Sequence, residues 1–223
     1  YQDDRYRDAL LKFGDFLILA QLPEPQPAWA QQYNHQLQPM WARKFEPPAV
    51  VGRESEDAIA TLMDLTEFSG ERRFLEPIPA AIAWLKRSRL PDGQLARFYE
   101  LKTNTPLYLK RDVYTLTYDD SDLPTHYGFK TDCRVDKLEA RYHVLAAGGT
   151  PRVSKSNLKT LSKDVTRILS ELDPESRWIT DQNGDPVVDG ANLNPEELFL
   201  DSAVFSKNLS RLAEFLKVAR TAK

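Results

Sequence analysis

The 223-residue sequence predicts a mostly α-helical domain with long irregular loops and one short β element. Three observations carry this. Apolar residues recur at helical spacing in six separate stretches. The segments between them are long and rich in proline, tryptophan and tyrosine, too aromatic to be disordered. Only Tyr108 to Tyr118, rich in Tyr, Val, Thr and Leu with partial alternation, reads as a strand or hairpin.

The helices follow in order. Leu10, Phe13 and Leu17 share a face, with Phe16 and Ala20 beside them, so about 4–20 reads as an amphipathic helix. Ala58, Ile59, Leu62, Met63 and Leu65 mark a second. Ile78, Ala81, Ile82 and Leu85 mark a third, opening near Pro77, where a first-turn proline costs little. Val135, Leu138 and Tyr142 mark a fourth. Leu158, Leu161, Val165, Ile168, Leu169 and Leu172 mark a fifth. The sixth is predicted to begin at Asn194 as cap, with Pro195 in the first turn and Glu197 closing a capping box. It would run through Leu198, Val204, Leu209, Leu212 and Leu216.

Composition excludes several classes. A chain this long buries roughly 70% of its unfolded surface and needs no metal or disulfide to hold a core. One cysteine, Cys133, leaves no disulfide within the chain and no Cys-based zinc site. A net charge of -3 and a pI near 5.7 argue against a nucleic-acid partner. No apolar run approaches the ~18 residues of a membrane span. The chain starts at Tyr1 without a basic, then apolar, leader, and so reads as a processed product or a fragment.

A weak internal repeat is present. Leu22-Pro23-Glu24-Pro25-Gln26 follows the first helix and Leu90-Pro91-Asp92-Gly93-Gln94 the third. Each precedes an Ala-Arg-aromatic-Glu element, Ala42 to Glu46 and Ala96 to Glu100. Repeated helix–loop units suggest helical hairpins in a ring or superhelix, with shared turn chemistry or chance as the alternative.

The densest chemistry lies in Pro27 to His35 and Met40 to Pro48. Trp29, Trp41 and Tyr33 offer flat rings, Gln31 and Gln32 offer amides, and Arg43 and Lys44 offer cations. Sugar rings sit on aromatic faces, their hydroxyls need amides, and a uronate carboxylate suits a guanidinium fork. That mixture fits an acidic carbohydrate. The competing reading is that Trp29 and Trp41 pack loops on helices. Arg97 and Arg111 are further candidates, against ordinary salt bridges to Glu100 or Asp112. There is no HExxH, P-loop or nucleophile elbow. His35, His126 and His143 are scattered, and Asp181 to Asp185 is a poor calcium loop, better read as a turn.

Pro25 to Tyr33, Trp41 to Ala49 with Glu54-Ser55, Ala96 to Tyr108, and Arg111-Asp112 together resemble the family 10 polysaccharide lyases, which are pectate lyases. The resemblance covers about 1–147 and leaves 148–223 as a helical C-terminal extension packing on the same domain. It implies a partial (α/α) toroid. It also implies cleavage of polygalacturonate by calcium-assisted anti-β-elimination. It assigns Arg43 as the base, and Arg111, with Arg97 second, as the carboxylate grip. Trp29, Gln31, Tyr33 and Lys44 would line the sugar groove. The family's acidic calcium-binding positions lie upstream of the first helix seen here, so the chain reads as the C-terminal part of a catalytic domain. Secreted or periplasmic placement follows from the polymeric substrate, and a monomer is expected. Two other classes compete: a non-catalytic acidic-glycan-binding module (or an inactive truncated lyase), and a hydrolase using Glu46 and Glu100.

Overall fold

A computed structural model describes residues 4–149, 155–180 and 199–221. The chain divides into two compact units, Tyr1–Pro151 and Arg152–Lys223.

The first unit holds four α-helices: α1 (Asp4–Ala20), α2 (Gly52–Ser69), α3 (Ile78–Arg87) and α4 (Val135–Ala146). Its strands are short: β1 (Val50–Val51), β2 (Leu95–Ala96), β3 (Phe98–Tyr99), β4 (Pro106–Leu109), β5 (Leu116–Thr117) and β6 (Lys130–Thr131). β1, β3, β4 and β5 form one antiparallel sheet in that order, and β2 pairs with β6. The expected hairpin is present as β4 and β5, with Tyr108 opposite Thr117.

The core lies between α2, α3 and the sheet. Ile59, Leu62 and Met63 of α2, Ile78, Trp84 and Leu85 of α3, and Phe74, Phe98 and Tyr99 are fully buried. Trp84 meets Tyr99 edge-on at 5.3 Å between centroids, and the Tyr99 hydroxyl donates to the Ser88 carbonyl at 2.6 Å. Burial pushes that phenol well above its usual range. Glu56 is buried within α2 but not alone. It accepts the Arg134 backbone N–H and Nε–H, so a charge buried in α2 satisfies the entry to α4.

The face expected on α1 is only partly covered. Gly14, Leu17 and Ala20 are buried, whereas Leu10, Phe13 and Phe16 remain over 40% exposed. Contact is set by Gly14, because a Cβ there would stand 2.4 Å from Phe74 Cε1 and 2.8 Å from Leu65 Cδ1. Absence of a side chain lets the two elements approach at this one point.

The sequence repeat is not a structural repeat. Ala42 to Glu46 forms a turn closed by the Glu46 N–H on the Arg43 carbonyl. Ala96 to Glu100 instead runs extended through β2 and β3.

In the second unit α5 (Lys155–Ser170) packs on α6 (Ser202–Thr221), and β7 (Ile179–Thr180) pairs with β8 (Phe199–Leu200). Asp164 of α5 holds Arg211 of α6 at 2.7 Å. The sixth helix begins later than predicted. Residues 199–200 are extended, and Asp201 caps the helix by accepting the Ala203 N–H at 2.6 Å. The proposed cap at Asn194, its Pro195 and Glu197, and the Asp181 to Asp185 turn lie outside the described residues.

Replacing Gly14 with Ala should destabilise the first unit by about 1–3 kcal/mol, since the Phe74 ring is enclosed and must shift. Urea unfolding checks this; an unchanged midpoint would contradict the close approach.

Candidate active site

The segment from Gln21 to Ala49 has no helix or strand, yet it is pinned at several points. Trp29 is 2% exposed; its indole N–H donates to the Leu17 carbonyl at 2.7 Å and its backbone N–H to Ser55 Oγ at 3.0 Å. Both of its N–H donors are thus used inside the core, while the residue also borders a cleft. Trp41 is the ring left open, at 44% exposure, two residues before Arg43. Gln26 is also buried. It takes the Lys102 N–H and donates to the Glu100 carbonyl and to Asn104 Oδ1. Asn104 in turn accepts the Trp84 indole N–H and sits at φ 59°, a conformation asparagine tolerates. The Thr103-Asn104-Thr105 motif is thus a structural hub.

Gln31, Arg43 and Arg97 are brought together around Tyr127, a residue the sequence reading missed. The Arg43 guanidinium lies 5.5 Å and that of Arg97 4.1 Å from the Tyr127 ring centroid. The Tyr127 hydroxyl donates to Glu46 Oε1 at 3.0 Å and accepts from Gln31 Nε2 at 2.8 Å. Gln31 also donates to Glu54 Oε1, which is the ion partner of Arg97. Glu46 is the ion partner of Arg43, through both the guanidinium and the backbone N–H. Arg97, for which a salt bridge to Glu100 was the competing reading, pairs with Glu54, its backbone clamped between Gly52 and Phe129. This aims its side chain back at α2.

Lys44 joins through a second aromatic group. Its Nζ lies 3.9 Å from the Tyr114 ring centroid. Phe45 packs against Tyr114, His126 and Tyr127 at 6.0, 5.1 and 4.9 Å. Arg111 stands on the exposed β4–β5 turn that also presents Tyr114. Its partner is Asp122 at 3.2 Å rather than Asp112. Tyr33 is fixed through its hydroxyl, which accepts the Ala30 N–H at 2.6 Å; burial pushes it up to about 12.

A cleft of about 870 Å³ includes Trp29, Gln31, Tyr33, Phe13, Phe16 and Glu54 in its walls. Among the described residues no Arg or Lys lines it, so these offer no fixed cation to a uronate there. The cation–aromatic cluster does, and the two share Gln31 and Glu54.

Electrostatics at Arg43 favour its charged form. The Glu46 hydrogen bond raises its pKa, while the nearby cations are engaged elsewhere, Lys44 on Tyr114 and Arg111 on Asp122. Reciprocally, the Arg43 guanidinium holds Glu46 at about 2 against burial. Calcium does not fit these groups. Among the described residues no three His, Cys, Asp or Glu side chains gather to hold an ion. Glu46 and Glu54 are committed to arginines, whereas calcium needs 6–8 oxygens.

Because Glu46 has a lower pKa folded than unfolded, its stabilisation is complete above its ordinary 4.5 and lost as pH falls toward 2. Denaturant midpoints measured from pH 6 to pH 2.5 should therefore fall less for Glu46→Gln than for the native chain. Equal slopes would contradict the pairing.

Residues 1–96 match the family model described as pectic acid lyase. The match takes in Trp29, Gln31, Tyr33, Arg43, Lys44, Glu46 and Glu54, and stops before Arg97. No curated protein matches the chain. Over residues 1–96 the chain is thus similar to the pectic acid lyase family.

Proposed function

We propose that the chain is a pectate lyase that cleaves α-1,4-linked galacturonate by anti-β-elimination, with Arg43 as base and calcium as cofactor. The observation that supports it most is the gathering of Arg43, Lys44 and Arg97 on the rings of Phe45, Tyr114 and Tyr127. Fixed cations above aromatic faces suit a polymer whose sugars are apolar on their faces and charged at C5. The calcium ligands would come from groups other than those described. A partial (α/α) toroid, secreted or periplasmic placement and a monomeric state belong to the same reading.

The chemistry follows from the substrate. The C5 proton is α to a carboxylate, and its removal builds charge there that arginine forks can stabilise. The C5–H electrons form the C4–C5 double bond, the C4–O4 bond breaks, the C5 proton goes to the base, and O4 leaves and is protonated. Water is not a nucleophile in this sequence. As base, Arg43 must first be freed from Glu46 and deprotonated. Well below its pKa the competent fraction grows tenfold per pH unit. Its ion pair with Glu46 supports a second reading, in which Arg43 stays charged and only stabilises the carboxylate. Neither Glu46 nor Glu100 suits the hydrolase alternative. Both are held below their ordinary range, Glu46 by Arg43 and Glu100 by Thr103 and Tyr118, whereas a hydrolase acid must be raised.

Incubation with polygalacturonate should yield the ultraviolet absorbance of an unsaturated uronate. The rate should rise into alkaline pH and fall with chelator. Arg43→Ala should reduce kcat at least a hundredfold, and Arg111→Ala should raise KM more than it lowers kcat. An optimum below neutrality would overturn Arg43 as base. Saturated new ends would establish hydrolysis, and binding without product would establish a glycan-binding module.

A further inference from the structure

We propose that Tyr127 is a positioning residue that couples Arg43 to Arg97, its hydroxyl holding together the two carboxylates that orient them. The proposal rests on the lyase reading for its kinetic consequences, but not for the coupling itself.

The hydrogen bonds run as one chain: Arg97 to Glu54, Gln31 to Glu54, Gln31 to Tyr127, Tyr127 to Glu46, Arg43 to Glu46. Tyr127 lies near its middle. Its ring also lies beneath both guanidiniums, so one side chain contacts each arginine, touches Glu46 directly and reaches Glu54 through Gln31. The Arg43 side chain is 60% exposed and would otherwise sample many rotamers.

Two details make this more than packing. Glu46 Oε1 is shared, accepting from Arg43 Nη2 and from Tyr127 at once. The shared oxygen fixes Arg43 and the Tyr127 hydroxyl against each other, and Tyr127 joins Glu46 in favouring the charged form of Arg43. On the other side of the chain, Gln31 Oε1, Glu54 Oε2 and Arg97 Nε are buried without hydrogen-bond partners among the described groups. Three unpartnered atoms in one network are costly as structure, and such sites are kept where a ligand or water completes them.

The other charged or titratable groups facing this pair are Lys44 from the same loop, Tyr114 from the β4–β5 turn, and His126 beside Tyr127. All are retained in the variants below. Glu46 first, and Tyr127 after it, favour the charged form of Arg43, so removing the Tyr127 hydroxyl weakens the hold on its proton and removing the Glu46 charge weakens it more.

The test uses Tyr127→Phe, which keeps the ring, with Glu46→Gln and Gln31→Leu alongside. In the free chain the Nε–H resonances of both Arg43 and Arg97 should move in Tyr127→Phe, and chiefly that of Arg97 in Gln31→Leu. Movement of Arg43 alone in Tyr127→Phe would overturn the coupling. On polygalacturonate, Tyr127→Phe should lower kcat about tenfold, the equivalent of one charge-assisted hydrogen bond, with KM little changed. The alkaline rise should shift to lower pH in both Tyr127→Phe and Glu46→Gln, and further in Glu46→Gln. A lower kcat with an unmoved pH profile and unmoved resonances would reduce Tyr127 to packing and overturn the proposal. Absence of unsaturated product from the native chain would sink the lyase reading alone, because the resonance test stands without turnover.

Discussion

The indole of Trp29, buried with its N–H on the Leu17 carbonyl and its backbone N–H on Ser55, is the fixed point on which the cluster depends. The chain between α1 and β1 has only one isolated bridge of its own, Tyr33 opposite Pro39, to hold it. It gains its shape from side chains that reach the core, Trp29 first, then Gln26 into the Asn104 hub and Glu46 beneath Arg43. With the loop anchored, Gln31 is delivered to Glu54 of α2 and to Tyr127. Arg43 then meets the same ring that Arg97 reaches from the sheet. The rigid parts of the fold thus act at a distance: α2 and the short strands fix Glu54 and Arg97, and the loop brings Arg43 to them.

That arrangement gives a polar cluster with two different ends. Toward the loop, Glu46 is saturated with donors and held strongly ionised by Arg43. Toward the sheet, Gln31, Glu54 and Arg97 each retain an unpartnered buried atom. Charge is therefore balanced while hydrogen-bonding capacity is left over, a combination suited to receiving a hydroxylated, anionic ligand. The same balance explains why Arg43 rests as a cation. A substrate carboxylate must compete with Glu46 before any chemistry at C5.

Much of the helical framework was legible because its apolar residues keep the helical period: Ile59, Leu62 and Met63, or Ile78, Ile82 and Leu85, are all buried where the period puts them. The two-residue strands were not, since two residues carry no alternation. At the site, residue types were legible and their partners were not. Arg43 and Glu46 are three apart and meet within one turn. A salt bridge from Arg97 to Glu100, the competing reading, would mirror this, but Arg97 lies in extended chain, where residues three apart point to opposite faces. Tyr127 left only a faint signal, a tyrosine two residues before Phe129, because its role comes from contacts some thirty to a hundred positions away along the chain. Trp29 and Trp41 differ in exposure for a similar reason: sequence gives both the same aromatic character, and only packing decides which one is buried.

The most direct measurement is a crystal structure of Arg43→Ala soaked with trigalacturonate. The account predicts sugar density on the aromatic rings of Phe45, Tyr114 and Tyr127, with a carboxylate within hydrogen-bond distance of Arg97 or Arg111. Density confined to the cleft bordered by Phe13 and Phe16, away from every arginine, would contradict it.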